Sequence, residues 1–197
     1  MSKEKLIAKI NSEVKVCVEC RLWKQRKHAV PGDGNFDAKI MFVGEAPGRQ
    51  EDLKGLPFVG VAGKLLDELL DKIGLSRDEV YITNIVKCRP PRNRDPRSDE
   101  INTCTNLYLT RQVETIRPKF LAMLGRHSAA YILSRVGIEV NGITKIHGKV
   151  YEISPFGFPV IAIPMFHPAA ALYNIKYEDL LREDFEILRS ALEKHGR

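Results

Sequence analysis

The residue types in this sequence best suited to chemistry are four cysteines, a proline-rich basic segment and a few polar residues at the ends of aliphatic runs. Cys17 and Cys20 stand in C-x2-C spacing, and Cys88 and Cys104 in C-x15-C. Two thiolates two residues apart can face one metal, so the first pair implies redox chemistry, zinc or an iron-sulfur cluster. A thioredoxin-like pair would open a helix after a strand, whereas Cys17 and Cys20 follow a predicted helix. Zinc ribbons offer a second close pair, which Cys88 and Cys104 are not. On spacing alone, a cluster, a zinc site and unrelated buried cysteines all remain open.

The segment from Lys87 to Arg97 carries Lys87, Arg89, Arg92, Arg94 and Arg97 against Asp95, broken by Pro90, Pro91 and Pro96. An irregular run of this kind has no amphipathic face to complete, so its charge points to a polyanion partner. The whole chain agrees in sign, with 31 Lys plus Arg against 25 Asp plus Glu and a net charge of +6 over 197 residues.

The elements that must position these groups alternate. Residues 3–16 place Leu6, Ile7, Ile10 and Val14 on one helical face ahead of the first cysteines. Short aliphatic runs at Lys39–Val43, Val80–Asn84, Lys119–Leu124 and Pro159–Ile163 read as buried strands, and Lys149–Ile153 as a further strand or hairpin beside the last. Between them, Leu65, Leu66, Leu69, Leu70 and Ile73 form a helical stripe stopped by Gly74. Ser98 caps a second helix with Asp99 and Glu100 in its first turn, and His127–Val136 forms a third. A last helix spans Tyr177–Lys194.

This alternation predicts an α/β fold: a single three-layer domain with a central, mostly parallel four-stranded sheet flanked by helices. With 44% apolar residues the chain can bury a core. No apolar run approaches the ~20 residues needed to cross a bilayer, and the N-terminus lacks the order of a secretory signal. An intracellular, cytoplasmic protein with reduced thiols and no membrane association is expected. Ligands of such sheets bind beyond the carboxyl ends of the strands. There lie Gly44-Glu45-Ala46-Pro47-Gly48, Asn84, Gly125-Arg126-His127-Ser128 and Phe166-His167-Pro168-Ala169-Ala170-Ala171-Leu172, so four loops should converge on one cleft.

Four segments together resemble the family 4 uracil-DNA glycosylases, the cluster-bearing enzymes of thermophilic archaea and bacteria. These are Gly44–Gly48, Pro57-Phe58-Val59-Gly60-Val61-Ala62-Gly63, Cys88–Pro96 and His167–Leu172, and the likeness runs from about Cys17 to the final helix. It implies a [4Fe-4S] cluster on Cys17, Cys20, Cys88 and Cys104, which ties residues 1–38 to the loop 87–104 of one domain spanning 1–197. The expected activity is that of a monofunctional DNA N-glycosylase. It flips uracil from DNA and hydrolyses the N-glycosidic bond, leaving an abasic site that starts base excision repair. The cluster's expected role is to shape the DNA-binding surface, with metal binding contributing to folding.

Uracil offers an N3–H donor beside an O4 acceptor, and a side-chain amide held in one orientation matches that pair while rejecting cytosine. By resemblance Asn84 is that amide; without it, Asn84 would read as a strand-end turn cap. Phe58 corresponds to the aromatic that stacks on the flipped base, and Gly44, Glu45 and Ala46 to the backbone that contacts it. His167 corresponds to the histidine that donates toward uracil O2 as charge develops there. His28, His127, His147 and His195 are read as structural. The superfamily often places a carboxylate where this chain has Ala46, so water is left to Glu45 or Asn93, ranked equally. Relatives exclude thymine with a Tyr where this chain has Gly48, and Glu51 is expected to replace it as the barrier.

DNA is expected to be held at phosphates by Lys87, Arg89, Arg92 and Arg94, with Arg126 in support, while Ala171, Leu172 and Tyr173 supply an apolar wedge. The expected partner is uracil-containing DNA, single- or double-stranded, met by a monomer that could dock on a sliding clamp. Two rivals stand beside this reading: a non-catalytic iron-sulfur DNA-binding or redox-sensing module, and a glycosylase of broader range acting on hypoxanthine.

Overall fold

The structure, a computed structural model, describes residues 2–196. Its strands are β1 (Asp33–Gly34), β2 (Ile40–Gly44), β3 (Tyr81–Asn84), β4 (Phe120–Leu124), β5 (Tyr151–Ile153) and β6 (Val160–Met165). They form one sheet in the order β1-β3-β2-β4-β6-β5. The inner four are parallel, and short antiparallel strands β1 and β5 close the two edges. The sheet therefore has six strands where the aliphatic runs predicted four. Strand β1 is only Asp-Gly, with no apolar run to announce it, whereas β5 falls where a hairpin beside the last strand was expected.

The helices are α1 (Lys3–Val16), α2 (Arg49–Lys54), α3 (Val61–Lys72), α4 (Ser98–Cys104), α5 (Thr110–Ile116), α6 (Arg126–Ser134), α7 (Pro168–Ala171) and α8 (Ile175–His195). Alternation along the strands splits the core into two layers. Met41 and Val43 of β2 pack with Ile7, Ile10 and Val14 of α1 and with Val113 of α5. Ile40 and Phe42 face the other way, onto Leu66 and Leu69 of α3 and Leu181 and Phe185 of α8. Both faces of the parallel sheet are thus covered, which explains why its strands are uninterrupted apolar runs.

Helix α4 starts differently from the expectation. Arg97 is the cap and Ser98 the first helical residue, because the Glu100 carboxylate turns back to accept the Arg97 N–H at 2.8 Å. At its other end a wide π turn, Thr105–Leu109, joins α4 to α5 directly after Cys104. Helices α2 and α7 are short additions that periodicity did not announce.

Candidate active site

The carboxyl ends of the parallel strands open into a cavity of about 330 Å³. It is lined by Glu45, Ala46, Glu51, Phe58, Asn84 and His167, joined on the basic-loop side by Asn93 and Arg94. The loops after β2, β3 and β6 line it as the strand-helix alternation predicted, while the fourth expected loop, Gly125–Ser128, does not, and Glu51, Phe58 and Ala62 line it instead. Parallel pairing of β2 with β3 sets Gly44 beside Asn84, and a side chain at 44 would collide with the floor. Its Cβ would sit 2.4 Å from Asn84 Oδ1 and 2.8 Å from Phe58 Cζ. Glycine is the one residue that lets the strand end meet the amide and the ring together.

Asn84 is 1% exposed, and its Oδ1 is buried without a hydrogen-bond partner. A buried amide oxygen left unpaired is costly, a cost that a donor entering the cavity would relieve. Phe58 is buried with φ +50, a left-handed conformation that a Phe seldom adopts. Its loop is held by Arg77, whose guanidinium donates to the carbonyls of Pro57 and Phe58 and pairs with Asp67 at 2.9 Å. From below, α3 packs so closely that a Cβ at Gly63 would fall 1.9 Å from the Phe58 carbonyl oxygen. The Phe58 ring stacks on His167 with centroids 5.6 Å apart.

His167 precedes α7, where Pro168 opens the helix, and its Nδ1 accepts the Ala169 N–H at 3.1 Å. That bond assigns the proton of the neutral ring to Nε2. Burial pulls the imidazole down to about 4, with Glu51 opposing, so the ring is neutral at physiological pH. The strand end before it is pinned by Asp184, a fully buried carboxylate of α8. It accepts the Phe166 N–H and bonds His147 Nδ1, each at 2.8 Å. Burial raises the Asp184 carboxyl, and these bonds oppose it. Asp184 and Arg77 brace segments that carry cavity-lining residues, and the sequence reading missed both. The one signal for Asp184 is a charge on the apolar stripe between Leu181 and Phe185.

Glu51 Oε1 accepts the backbone N–H groups of Val59 and Gly60, both at 2.9 Å, and its Oε2 lies where a side chain at Gly48 would begin, 2.7 Å from that Cβ. Asn93 Oδ1 is already taken by Arg89 Nε at 2.7 Å. Glu45 is half-buried, and burial raises its carboxyl while His127 opposes that shift.

The basic loop is less uniform than its composition suggested. Lys87 is buried at 1% exposure, so the expectation that it meets DNA is corrected. Its Nζ donates to Thr83 Oγ1, the Asn84 carbonyl and Gln112 Oε1 at 2.6–2.7 Å, and burial lowers the ammonium to about 7. Arg94 forks onto the buried Glu100 at 2.6 and 2.8 Å, yet keeps 31% of its side chain exposed and lines the cavity. Arg92 and Asn93 both have φ +56. Beyond this ridge lies a second cleft of about 450 Å³ bordered by Arg21, Lys24, Arg92, Arg94 and Arg97. Of these, Arg21 and Lys24 lie outside the basic run that the sequence singled out. At the far lip, Leu172 is 40% and Tyr173 90% exposed, while Ala171 is buried and cannot be part of a wedge.

The four cysteines come together from the end of α1, the turn after it, the loop after β3 and the end of α4. Cys88 Sγ accepts from Arg26 at 3.1 Å and Cys104 Sγ from the Lys87 N–H at 3.3 Å. Burial raises the Cys20 and Cys88 thiols and takes Cys104 to about 12. Among the described residues, no three cysteine sulfurs lie within 4.8 Å of one another. Thiolates on one tetrahedral zinc sit about 3.8 Å apart, given Zn–S bonds of ~2.3 Å.

A sheet that delivers an unpaired amide, a stacked aromatic ring and a neutral histidine into one base-sized cavity defines a nucleobase-binding enzyme site. Residues 31–189 match the uracil DNA glycosylase superfamily, and the chain belongs to it. The type-4 uracil-DNA glycosylase of Saccharolobus solfataricus is 53% identical over 93% of this chain and 85% of its own. That of Archaeoglobus fulgidus is 50% identical over 88% of this chain and 87% of its own. A third, from Thermotoga maritima, is 41% identical over 99% of both.

Proposed function

We propose that this chain is a type-4, monofunctional uracil-DNA glycosylase, which extrudes uracil from DNA and hydrolyses its N-glycosidic bond to begin base excision repair. The observation that carries the reading is the unpaired Oδ1 of buried Asn84, set beside the Phe58 ring. The flipped base stacks on Phe58, Asn84 Oδ1 accepts uracil N3–H and the amide nitrogen donates to O4. Cytosine presents the opposite order at those atoms and is refused.

Water oxygen bonds to C1′ as the C1′–N1 bond breaks, and the bonding pair leaves with uracil. His167 Nε2–H donates to O2 where the charge gathers; a neutral donor of this kind is worth on the order of 3 kcal/mol. The water proton goes to Glu45. Of the two residues ranked equally for this step, Glu45 is favoured because Asn93 Oδ1 is engaged by Arg89. Glu51 fills the space of a side chain at 48, which supports its reading as the barrier to the thymine methyl.

Arg89, Arg92 and Arg94 bind phosphates, and a strand leaving the cavity crosses the ridge at Arg92 into the second cleft, where Lys24 and Arg97 add further contacts. Leu172 and Tyr173 enter the gap left by the base. The cysteines hold a [4Fe-4S] cluster. The N–H donors on Cys88 and Cys104 suit such a group. Bound there, it supplies no step of hydrolysis but ties residues 1–38 to the loop 87–104.

Single-turnover incubation with an end-labelled oligonucleotide carrying one uracil, followed by alkali, tests the reading. Breakage at uracil but not at thymine or hypoxanthine is expected. No breakage by protein that keeps its brown colour and binds DNA would leave the non-catalytic module.

A further inference from the structure

Beside the cavity, three titratable side chains meet from three segments distant in sequence. Glu45 follows β2, Asp95 belongs to the basic loop and His127 lies in the first turn of α6. One ligand-type atom from each falls within 4.8 Å of the other two. His127 Nε2 is 3.4 Å from Asp95 Oδ2 and 3.8 Å from Glu45 Oε2, and as placed it is buried with no aligned partner. Arg126, next in the chain, pairs with Asp95 from the outside. His127 was read as structural from sequence, yet a structural histidine would have a settled partner. This one stands between two carboxylates, a few tenths of an ångström from bonding either.

We propose that His127, backed by Asp95, is the positioning residue for Glu45: its Nε2–H bridges the two carboxylates and holds one oxygen of Glu45, leaving the other for the attacking water. The inference rests on the reading of Glu45 as the proton acceptor given above. A carboxylate anchored at one oxygen presents the second in a single orientation, and much of the advantage of a bound nucleophile is orientation. A base must also be ionised when the water arrives. Burial and the charge of Asp95 raise the Glu45 carboxyl, while His127 and Arg126 lower it, so the bridge favours the ionised form. Because Asp95 sits in the loop that carries the phosphate-facing arginines, the same clasp registers that loop against the cavity.

The test is the single-turnover rate on uracil DNA across pH for the full-length protein and for His127→Ala, His127→Gln, Asp95→Asn and Glu45→Gln. Affinity for an uncleavable 2′-fluoro-deoxyuridine oligonucleotide is measured alongside. His127→Ala should lower the plateau about tenfold and move the acidic limb to higher pH, with affinity unchanged. His127→Gln, which returns an amide N–H to the same place, should recover most of the rate. Asp95→Asn should move the limb the other way, since it removes a charge that raises Glu45. Profiles that superimpose on the wild type, or a loss confined to affinity, would overturn the proposal, as would a wild-type rate abolished by EDTA and restored by a divalent cation. The near-isosteric Gln and Asn variants keep the test decisive if the alanine variant does not fold. Full activity in Glu45→Gln would instead sink the reading on which the proposal rests, and an inactive wild type the glycosylase assignment itself.

Discussion

The cavity and the basic loop lie side by side and share Arg94, but they are held in place by different means. The cavity's groups ride on strand ends: Asn84 closes β3, Gly44 closes β2, and His167 follows β6 under the anchor of Asp184. Sheet hydrogen bonds and a packed core on both faces place them before any ligand arrives. The loop from Lys87 to Arg97 has no regular structure beyond a single short turn, and is held by isolated cross-links. Among these are Lys87 on Thr83 and Gln112, the Lys87 N–H on Cys104 Sγ, Arg26 on Cys88 Sγ, and Arg94 on Glu100. The first kind of support suits chemistry that tolerates little displacement, and the second suits contact with a flexible polyanion.

The contrast predicts that damage to the cavity changes rate while damage to the loop changes binding and order. The largest effect belongs to His167→Ala: a loss of about a hundredfold in single-turnover rate, with affinity for uncleavable DNA nearly intact. A parallel loss of affinity would make His167 a DNA contact. The same residue leaves a signature in stability. The unfolded chain binds a proton near pH 6.5 that folded His167 refuses down to about 4. The unfolding free energy should therefore fall as pH drops through that window. Denaturant titrations should show a flatter dependence in His167→Gln.

Next in size, Cys88→Ala should abolish the brown visible absorption and open the loop to proteolysis between Lys87 and Arg97, where the intact protein resists. Cleavage elsewhere first would deny the cluster its part in ordering this loop. Smaller effects separate two cations that look alike in the sequence. Lys87→Met should cost about 1–3 kcal/mol of stability, because it strands buried acceptors, while leaving the salt dependence of DNA binding unchanged. Arg92→Ala should do the reverse. Stability should stay within about 0.5 kcal/mol, and the slope of log affinity against log salt should become shallower by ~0.7–0.9.

Lys87 shows why such distinctions were hidden. Within a run of five cations nothing in local composition separates the one that turns inward, since that depends on Thr83 and on Gln112, 25 residues further along the chain. The surroundings of His127 and Asp184 were obscure for the same reason: each meets partners remote in sequence. Asn84 and His167 were expected in the cavity from the strand ends and Phe58 from its local motif, while the roles given to all three came from the family resemblance.

What the sequence determined by itself was therefore the periodic part. Apolar runs of strand length alternating with amphipathic helices specify a covered parallel sheet, and with it the edge at which functional loops gather. The spacing of the cysteines narrowed their chemistry without deciding it. Only the tertiary structure decided which charges are buried, which carboxylates meet and which histidine stands between two acids. Burial and pairing at those positions arise from contacts between segments tens of residues apart, and the energy of a charge depends on those contacts far more than on its neighbours in the chain.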